Sequence, residues 1–287
     1  MMVAGSPPTE HPLVALITGA SSGFGLLTAV ALAKQGYQVA ATMRDPGKAG
    51  DLLELARKEL VANAVIPLQL DVTDSESIHQ AVEEIMARFG RIDLLVNNAG
   101  FAVGGYIEEL SLEDWRQQME TNFFGVVAMT KAVLPQMRER GSGCIINVGS
   151  VSGRVGFPGY GPYAASKFAI EGYSESLRHE MSPYGVRVVL VEPGAFRTAI
   201  WHKGLARIVS HENSPYRERL EAVLRYSRLA GQKAPDPGQV AHLIARIAAK
   251  RSPRLRYPVG QGARAMLWGK ERLPWKWLEW IVGRALK

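Results

Sequence analysis

The chain has 287 residues, 47% apolar and 21% charged, enough for one large core and ordinary for a water-soluble globular protein. A single cysteine, Cys144, excludes a disulfide framework and a Cys/His metal cluster, and the six histidines fall in no metal-ligand spacing. The formal charge of +7 belongs to the end of the chain: residues 246–287 carry eleven Lys and Arg against two acids, leaving the other 245 residues at −2, so the body is not one that binds nucleic acid.

Residues 1–12 hold Pro7 and Pro8 but no basic stretch leading into an apolar one, so no signal peptide is read and cytoplasmic residence is expected. Residues 13–18, Leu-Val-Ala-Leu-Ile-Thr, form a short continuous apolar run suited to a strand buried on both faces of a parallel sheet. Gly19, Ser21, Ser22, Gly23, Phe24 and Gly25 follow at once, before a helical pattern over residues 26–34 that closes at Gly36. Strand, glycine turn and helix in that order make a phosphate cradle, because glycines let the backbone approach a pyrophosphate and the helix N-terminus favours its charge. A plain turn is the other reading, and the spacing of three residues between the first two glycines departs from the common Gly-x-Gly-x-x-Gly pattern.

The second predicted strand covers residues 37–43. An acidic residue about 20 positions beyond the glycines takes the ribose hydroxyls in NAD-binding folds. Here that place holds Met43 and then Arg44, with no carboxylate to repel a 2′-phosphate and a guanidinium to grip it, so NADP(H) is favoured over NAD(H) and Ser22 can add a hydroxyl. A helix over residues 50–60 leads to a third strand, 64–70, ending at Asp71 and Val72. Asp71 stands either at a ligand-binding strand end or as a cap of the next helix, which starts in Thr73, Asp74 and Ser75 and runs to about Phe89. The fourth strand, 92–96, delivers Asn97, Asn98, Ala99 and Gly100, small and amide residues that suit a ligand or a turn.

A long helix is predicted over residues 111–138. Asn122 falls in its middle, where asparagine is a poor helix former, so a functional amide or a helix distortion is expected there. Strands over 144–148, with Cys144 as core packing, and 186–191 bring the count to six strands alternating with helices, an α/β doubly wound parallel sheet (Rossmann fold). One domain is expected over residues 13–260.

Ser150 lies at the end of the fifth strand, and residues 163–181 read as helix. Tyr163 and Lys167, four residues apart, share one face of that helix, with Cβ atoms roughly 5–6 Å apart. A free tyrosine titrates at about 10, so a neighbouring cation that favours the phenolate would fit it for proton transfer. Residues 195–231 read as a partly helical lid. Phe196, Ile200, Trp201 and Leu205 on it, with Val103, Ser152, Phe157 and Tyr160 on the rim, are the candidate substrate contacts, and their apolar character suits a hydrophobic molecule; packing of the lid onto the body uses the same residues.

Residues 261–287 read as a basic, tryptophan-rich amphipathic helix. Leu278, Ile281, Val282, Ala285 and Leu286 share a face, with Trp275, Trp277 and Trp280 near its boundary. Such a helix fits peripheral contact with an anionic membrane; docking on the body or on a second subunit explains the same pattern.

The ordered set of motifs, Thr18-Gly-x-x-x-Gly-x-Gly25, Asp71, Asn97-Asn-Ala-Gly100, Asn122, Ser150, Tyr163-x-x-x-Lys167 and Pro193-Gly194, closely resembles the short-chain dehydrogenase/reductase family over about residues 13–260, in character nearest its hydroxysteroid and retinol dehydrogenase branch. The resemblance implies a catalytic tetrad of Asn122, Ser150, Tyr163 and Lys167. Tyr163 is then the general acid or base, Ser150 binds the carbonyl oxygen, Lys167 holds the nicotinamide ribose and lowers the tyrosine pKa, and Asn122 keeps a water-linked proton path. It also implies cofactor contacts at Asp71 and Val72 near the adenine, at Asn97, Asn98, Ala99 and Gly100 along the ribose, at Pro193 and Gly194, and at Thr198 near the nicotinamide amide. No metal is implied.

The expected activity is NADP-dependent interconversion of a ketone or aldehyde with an alcohol on a steroid-, retinoid- or lipid-like substrate, in a homodimer or homotetramer. A non-catalytic NADP(H)-sensing protein, a 3-oxoacyl reductase and a membrane-surface scaffold are the alternatives.

Overall fold

Short apolar runs bounded by turn residues form the centre of the computed structural model, which describes residues 12–197, 208–232 and 234–286. Seven parallel strands, β1 (Val14–Ile17), β2 (Gln38–Met43), β3 (Val65–Gln69), β4 (Leu94–Asn97), β5 (Gly143–Val148), β6 (Val186–Pro193) and β7 (Arg256–Val259), lie in the order β3-β2-β1-β4-β5-β6-β7. The central strands are buried on both faces, as their unbroken apolar runs predict. Successive residues alternate between two cores: Ala15, Ile17 and Val96 face one side, Val14, Leu16 and Leu95 the other. Cys144 lies in the first of these cores, and burial raises its thiol to about 11, consistent with packing.

The first core is covered by α1 (Gly23–Ala33), α2 (Gly50–Lys58) and α8 (Gly238–Ala248), the second by α3 (Ser75–Phe89), α5 (Gly125–Glu139) and α6 (Gly161–Met181). The remaining helices among the described residues are α4 (Leu112–Met119), α7 (Arg217–Gln232), α9 (Ala263–Arg272) and α10 (Trp275–Ala285).

The structure differs from the sequence expectation in three places. β7 adds a seventh strand, absent from the prediction because Arg-Tyr-Pro-Val has no apolar run; its proline is tolerated at the sheet edge, where a ladder donor is dispensable. The long helix over 111–138 is two helices joined by one π-helical turn, Glu120–Phe124, with Asn122 inside it. The tail is two helices broken at Leu273 and Pro274, since the proline cannot continue α9 and starts α10 as its N-cap.

Candidate active site

Strand order reverses between β1, whose next neighbour in sequence lies on one side, and β4 on the other; ligands of such sheets bind beyond the strand C-termini at this point. Two loops meet there. Thr18 accepts hydrogen bonds at Oγ1 from the Asn98 and Ala99 backbone N–H groups, both 3.0 Å, while Asn98 Nδ2 donates to the Thr18 and Gly19 carbonyls at 2.9 and 3.0 Å. The contact is so close that a Cβ on Gly19, whose φ is +70°, would lie 2.8 Å from Ala99 Cα, and one on Gly25 would lie 2.4 Å from the Gly19 carbonyl oxygen.

α1 begins at Gly23, three residues before the predicted start, so the glycine loop itself forms the first helical turn. Ser22 makes no side-chain cap and the turn carries no acid, which leaves its N–H groups for an anion. A helix N-terminus stripped of its own acceptors, held in a cradle that tolerates no side chain at Gly19 or Gly25, fits the pyrophosphate of a dinucleotide. Arg44 follows β2 and is exposed, beside the same strand ends.

Asp71 does not cap α3. It accepts from Thr73 N at 3.0 Å and Thr73 Oγ1 at 2.8 Å, and Asp74 caps the helix instead. Val72 packs on Gly125 of α5, where an added Cβ would come within 2.8 Å of its Cγ2. The Asn97 side chain, expected along the ribose, points away from the strand ends: it is buried and donates to Asn147 Oδ1 at 2.9 Å and Thr130 Oγ1 at 3.3 Å, because it is still part of β4 and alternates to the inner face. Asn98, the next residue, spends its amide on the glycine loop.

Beyond β5 and β6 the chemistry-bearing side chains converge. Ser150, buried after β5, accepts from Ser152 N at 3.1 Å and donates to the Pro193 carbonyl at 3.4 Å. Tyr163 stands on the first turn of α6; burial pushes its phenol above the ordinary value and the neighbouring Ser150 hydroxyl pulls it back. One turn on, the Lys167 Nζ donates to the Val148 carbonyl at 2.8 Å and lies 5.8 Å from the Tyr163 ring centroid. Burial lowers Lys167 to about 8. Where the sequence leads us to expect a lysine lowering the tyrosine pKa, desolvation of both groups dominates.

Asn122 stands in the helix distortion that was one of the two sequence expectations for it. The π turn aims its amide inward, where Oδ1 accepts from Phe101 N at 3.1 Å and Nδ2 donates to Phe101 O at 3.0 Å and to Ser166 Oγ at 3.2 Å. It thereby ties the loop after β4 to α6, and Gln118 adds hydrogen bonds to Phe101 O and Val103 N from α4. Sequence reasoning missed Gln118, one of two adjacent glutamines with nothing to mark it as buried.

It also missed a charged group behind the site. Glu192, with 0% exposure at the end of β6, and the buried Glu171 of α6 share the Arg256 guanidinium, with Arg154 on the other side of Glu192. Arg256 Nε reaches Glu171 at 2.9 Å and Glu192 at 4.0 Å; Arg154 reaches Glu192 at 3.7 Å and also pairs with Glu271 of α9. Burial and then the Glu171 charge raise Glu192 to about 7.

Of the candidate substrate residues, Phe196 is buried edge-on to Phe24 at 5.6 Å, so its side chain packs on α1. Val103 is buried as well. Phe157 stacks on Tyr226, and Tyr160 donates to Ser227 Oγ at 3.0 Å, both fastening α7 to the loop before α6; Tyr106 and Tyr216 stack at 4.4 Å at the N-terminal end of α7. Thr198, Ile200, Trp201 and Leu205 lie outside the described residues. Among the described residues no group of three or more His, Cys, Asp or Glu is placed to hold a metal.

A dinucleotide cradle at the switch point, with a hydroxyl, a phenol and an ammonium grouped at the neighbouring strand ends, defines a nicotinamide-nucleotide oxidoreductase of the Rossmann type. The short chain dehydrogenase profile matches residues 13–207, and the chain belongs to that family. An uncharacterized oxidoreductase, YusZ, of Bacillus subtilis is 45% identical and covers 95% of this chain and 98% of its own. A 3-ketodihydrosphingosine reductase of Bacteroides thetaiotaomicron is 41% identical over 87% of this chain and 88% of its own, and retinol dehydrogenase 8 of Bos taurus 40% identical over 86% and 81%. A short-chain dehydrogenase structure from Streptomyces avermitilis superposes with a TM-score of 0.80 at 36% identity, covering 97% of this chain and 100% of that one.

Proposed function

We propose that the chain is an NADP(H)-preferring reductase and dehydrogenase that interconverts a ketone or aldehyde with an alcohol on an apolar, lipid-like substrate. The observation that carries this reading is the grouping of Ser150 and Tyr163 with the buried Lys167 ammonium, which donates to the Val148 carbonyl at 2.8 Å and lies 5.8 Å from the Tyr163 ring centroid one helical turn away. The nicotinamide supplies or takes up the hydride when bound. In reduction the Tyr163 phenol gives its proton to the substrate oxygen, which Ser150 holds by a hydrogen bond, and becomes a phenolate; in oxidation that phenolate removes the alcohol proton. Lys167 stabilises the phenolate by its charge and holds the nicotinamide ribose. Asn122 positions the loop after β4 against α6, and the water-linked proton path to Lys167 is its second proposed role.

The first-turn N–H groups of α1 receive the pyrophosphate, Asp71 and Val72 lie by the adenine, Ala99, Gly100, Pro193 and Gly194 border the nicotinamide half, and Arg44 grips the 2′-phosphate. The Arg44 guanidinium and the missing carboxylate support the cofactor preference. A relative whose name specifies a ketone-bearing sphingoid base and another that names retinol support the substrate class. Cytoplasmic residence and a homodimer or homotetramer belong to the same proposal.

The test is NADPH and NADH oxidation over steroid, retinoid, long-chain acyl and small aliphatic ketones. Turnover of a bulky apolar ketone with NADPH preferred is expected. Tight NADPH binding without turnover of any of them would replace this reading with a nucleotide-sensing one.

A further inference from the structure

α10 has no fully buried residue, yet carries three tryptophans, a leucine, an isoleucine and a valine among its eleven residues. Leu278, Val282 and Leu286, spaced by four, are half-buried and form its inward stripe. Trp277, Trp280 and Ile281 stand on the outward side, exposed at 62%, 65% and 44%, and Trp275 at 61% and Trp268 of α9 at 57% extend the patch across the helix break. The tryptophans expected to border the buried face are therefore presented to the outside.

Cations lie over these rings. Lys270 Nζ is 3.9 Å from the Trp275 ring centroid, Arg272 Cζ 5.1 Å from that of Trp268 and Arg284 Cζ 5.8 Å from that of Trp280. Lys and Arg outnumber acids six to two over residues 261–287, and one of the acids, Glu271, is spent on Arg154. Indole rings with adjacent long cationic side chains match the boundary between lipid tails and phosphates, where the ring sits at headgroup level and the cation reaches the phosphate. A two-fold pairing of this surface with itself would set like charges against each other. No helix among the described residues is long and apolar enough to cross a membrane.

We propose that the tryptophan face of α9 and α10 docks this protein on an anionic lipid surface. α9 bridges the two loops that flank the site: Ala263, at its start, lies against Gly194, and Glu271, near its end, pairs with Arg154 of the loop after Ser150. Delivery of an apolar substrate from the bilayer rests on the proposed reaction; the docking does not.

Co-sedimentation of the full chain with vesicles of phosphatidylcholine, with and without phosphatidylglycerol, tests it without any activity readout. Association with the anionic vesicles alone, weakened by salt, is expected. A Trp277→Ala/Trp280→Ala variant should lose on the order of tenfold or more in partitioning, and Lys276→Glu with Arg284→Glu roughly fivefold for each cation removed. Both variants alter exposed side chains, and an unchanged Tm would show that they fold. Failure of the wild-type chain to bind anionic vesicles, or binding undiminished in both variants, would overturn the proposal. So would light scattering that shows a dimer lost in the tryptophan variant together with no vesicle association, which would make a second copy the occupant.

Discussion

The two ends of one strand edge are held by opposite kinds of polar contact. On the nucleotide side, Thr18, Asn98 and the glycine loop are joined by neutral hydrogen bonds, each to backbone and each satisfied within a few residues of β1 and β4. On the substrate side, Glu192 and Glu171 are buried as carboxyls, with Glu192 Oε1, Glu192 Oε2 and Glu171 Oε1 lacking any hydrogen-bond donor, and their counter-charges arrive from Arg154 and from Arg256 on β7. The neutral side makes a rigid socket that a cofactor can enter without any rearrangement of charge. The charged side titrates, and it couples α6 to the tail.

The largest expected effect breaks the substrate side at its reacting group. Tyr163→Phe keeps the ring and removes the proton, so turnover should fall by about 10²–10⁴ while cofactor binding, measured by fluorescence titration, stays near wild type. Retained turnover would remove Tyr163 from its role. The next effect sharpens the nucleotide side. Arg44→Ala should weaken NADPH binding by roughly 10- to 100-fold through loss of a charge-assisted phosphate contact and leave NADH nearly unchanged. Equal losses for the two cofactors would place the 2′-phosphate elsewhere.

The same division explains what could be read from sequence. The nucleotide side was legible because its contacts are local: a strand, a glycine turn and a helix follow one another, and the Asn97 to Gly100 run announces the second loop. Six of the seven strands could be read from their apolar runs. Lys167 and Tyr163 were legible by helical spacing. The carboxyl pair was not, since Glu171 looks like any polar position on a half-exposed helix and its partner Arg256 lies 85 residues away. Phe196 stays between two readings in the sequence for a related reason: an aromatic residue after a strand suits a pocket wall or a core equally, and only its burial and the T-shaped contact with Phe24 place it in the core.

A third, smaller effect tests the charged side directly. Glu192 is raised from its ordinary 4.5 to about 7 by burial and by Glu171. Below pH 4.5 the folded and unfolded chains both hold the proton and the contribution is fully present; between 4.5 and about 7 the unfolded chain releases it first, so stability falls as pH rises and the contribution is gone above 7. In Glu192→Gln this titration is absent. Urea unfolding should therefore show the variant gaining on wild type by on the order of 1–2 kcal/mol between pH 5 and pH 8. A gap independent of pH would mean that the pair does not hold the proton.

The smallest effect compares a helix end capped by its own chain with the α1 end proposed to receive the pyrophosphate. α3 is capped by Asp74, whose Oδ1 accepts from Glu76 N at 2.9 Å and Ser77 N at 3.4 Å, whereas α1 has neither a side-chain cap nor an acid in its first turn. Asp74→Ala leaves the α3 donors to water and should cost about 1 kcal/mol of stability, read as a lower urea midpoint at unchanged slope. NADPH affinity should not move, because α3 offers its N-terminus to its own chain. If the substitution weakens cofactor binding as much as it weakens the fold, the two helix ends share one function, and the division between a neutral socket and a structural frame fails at this point.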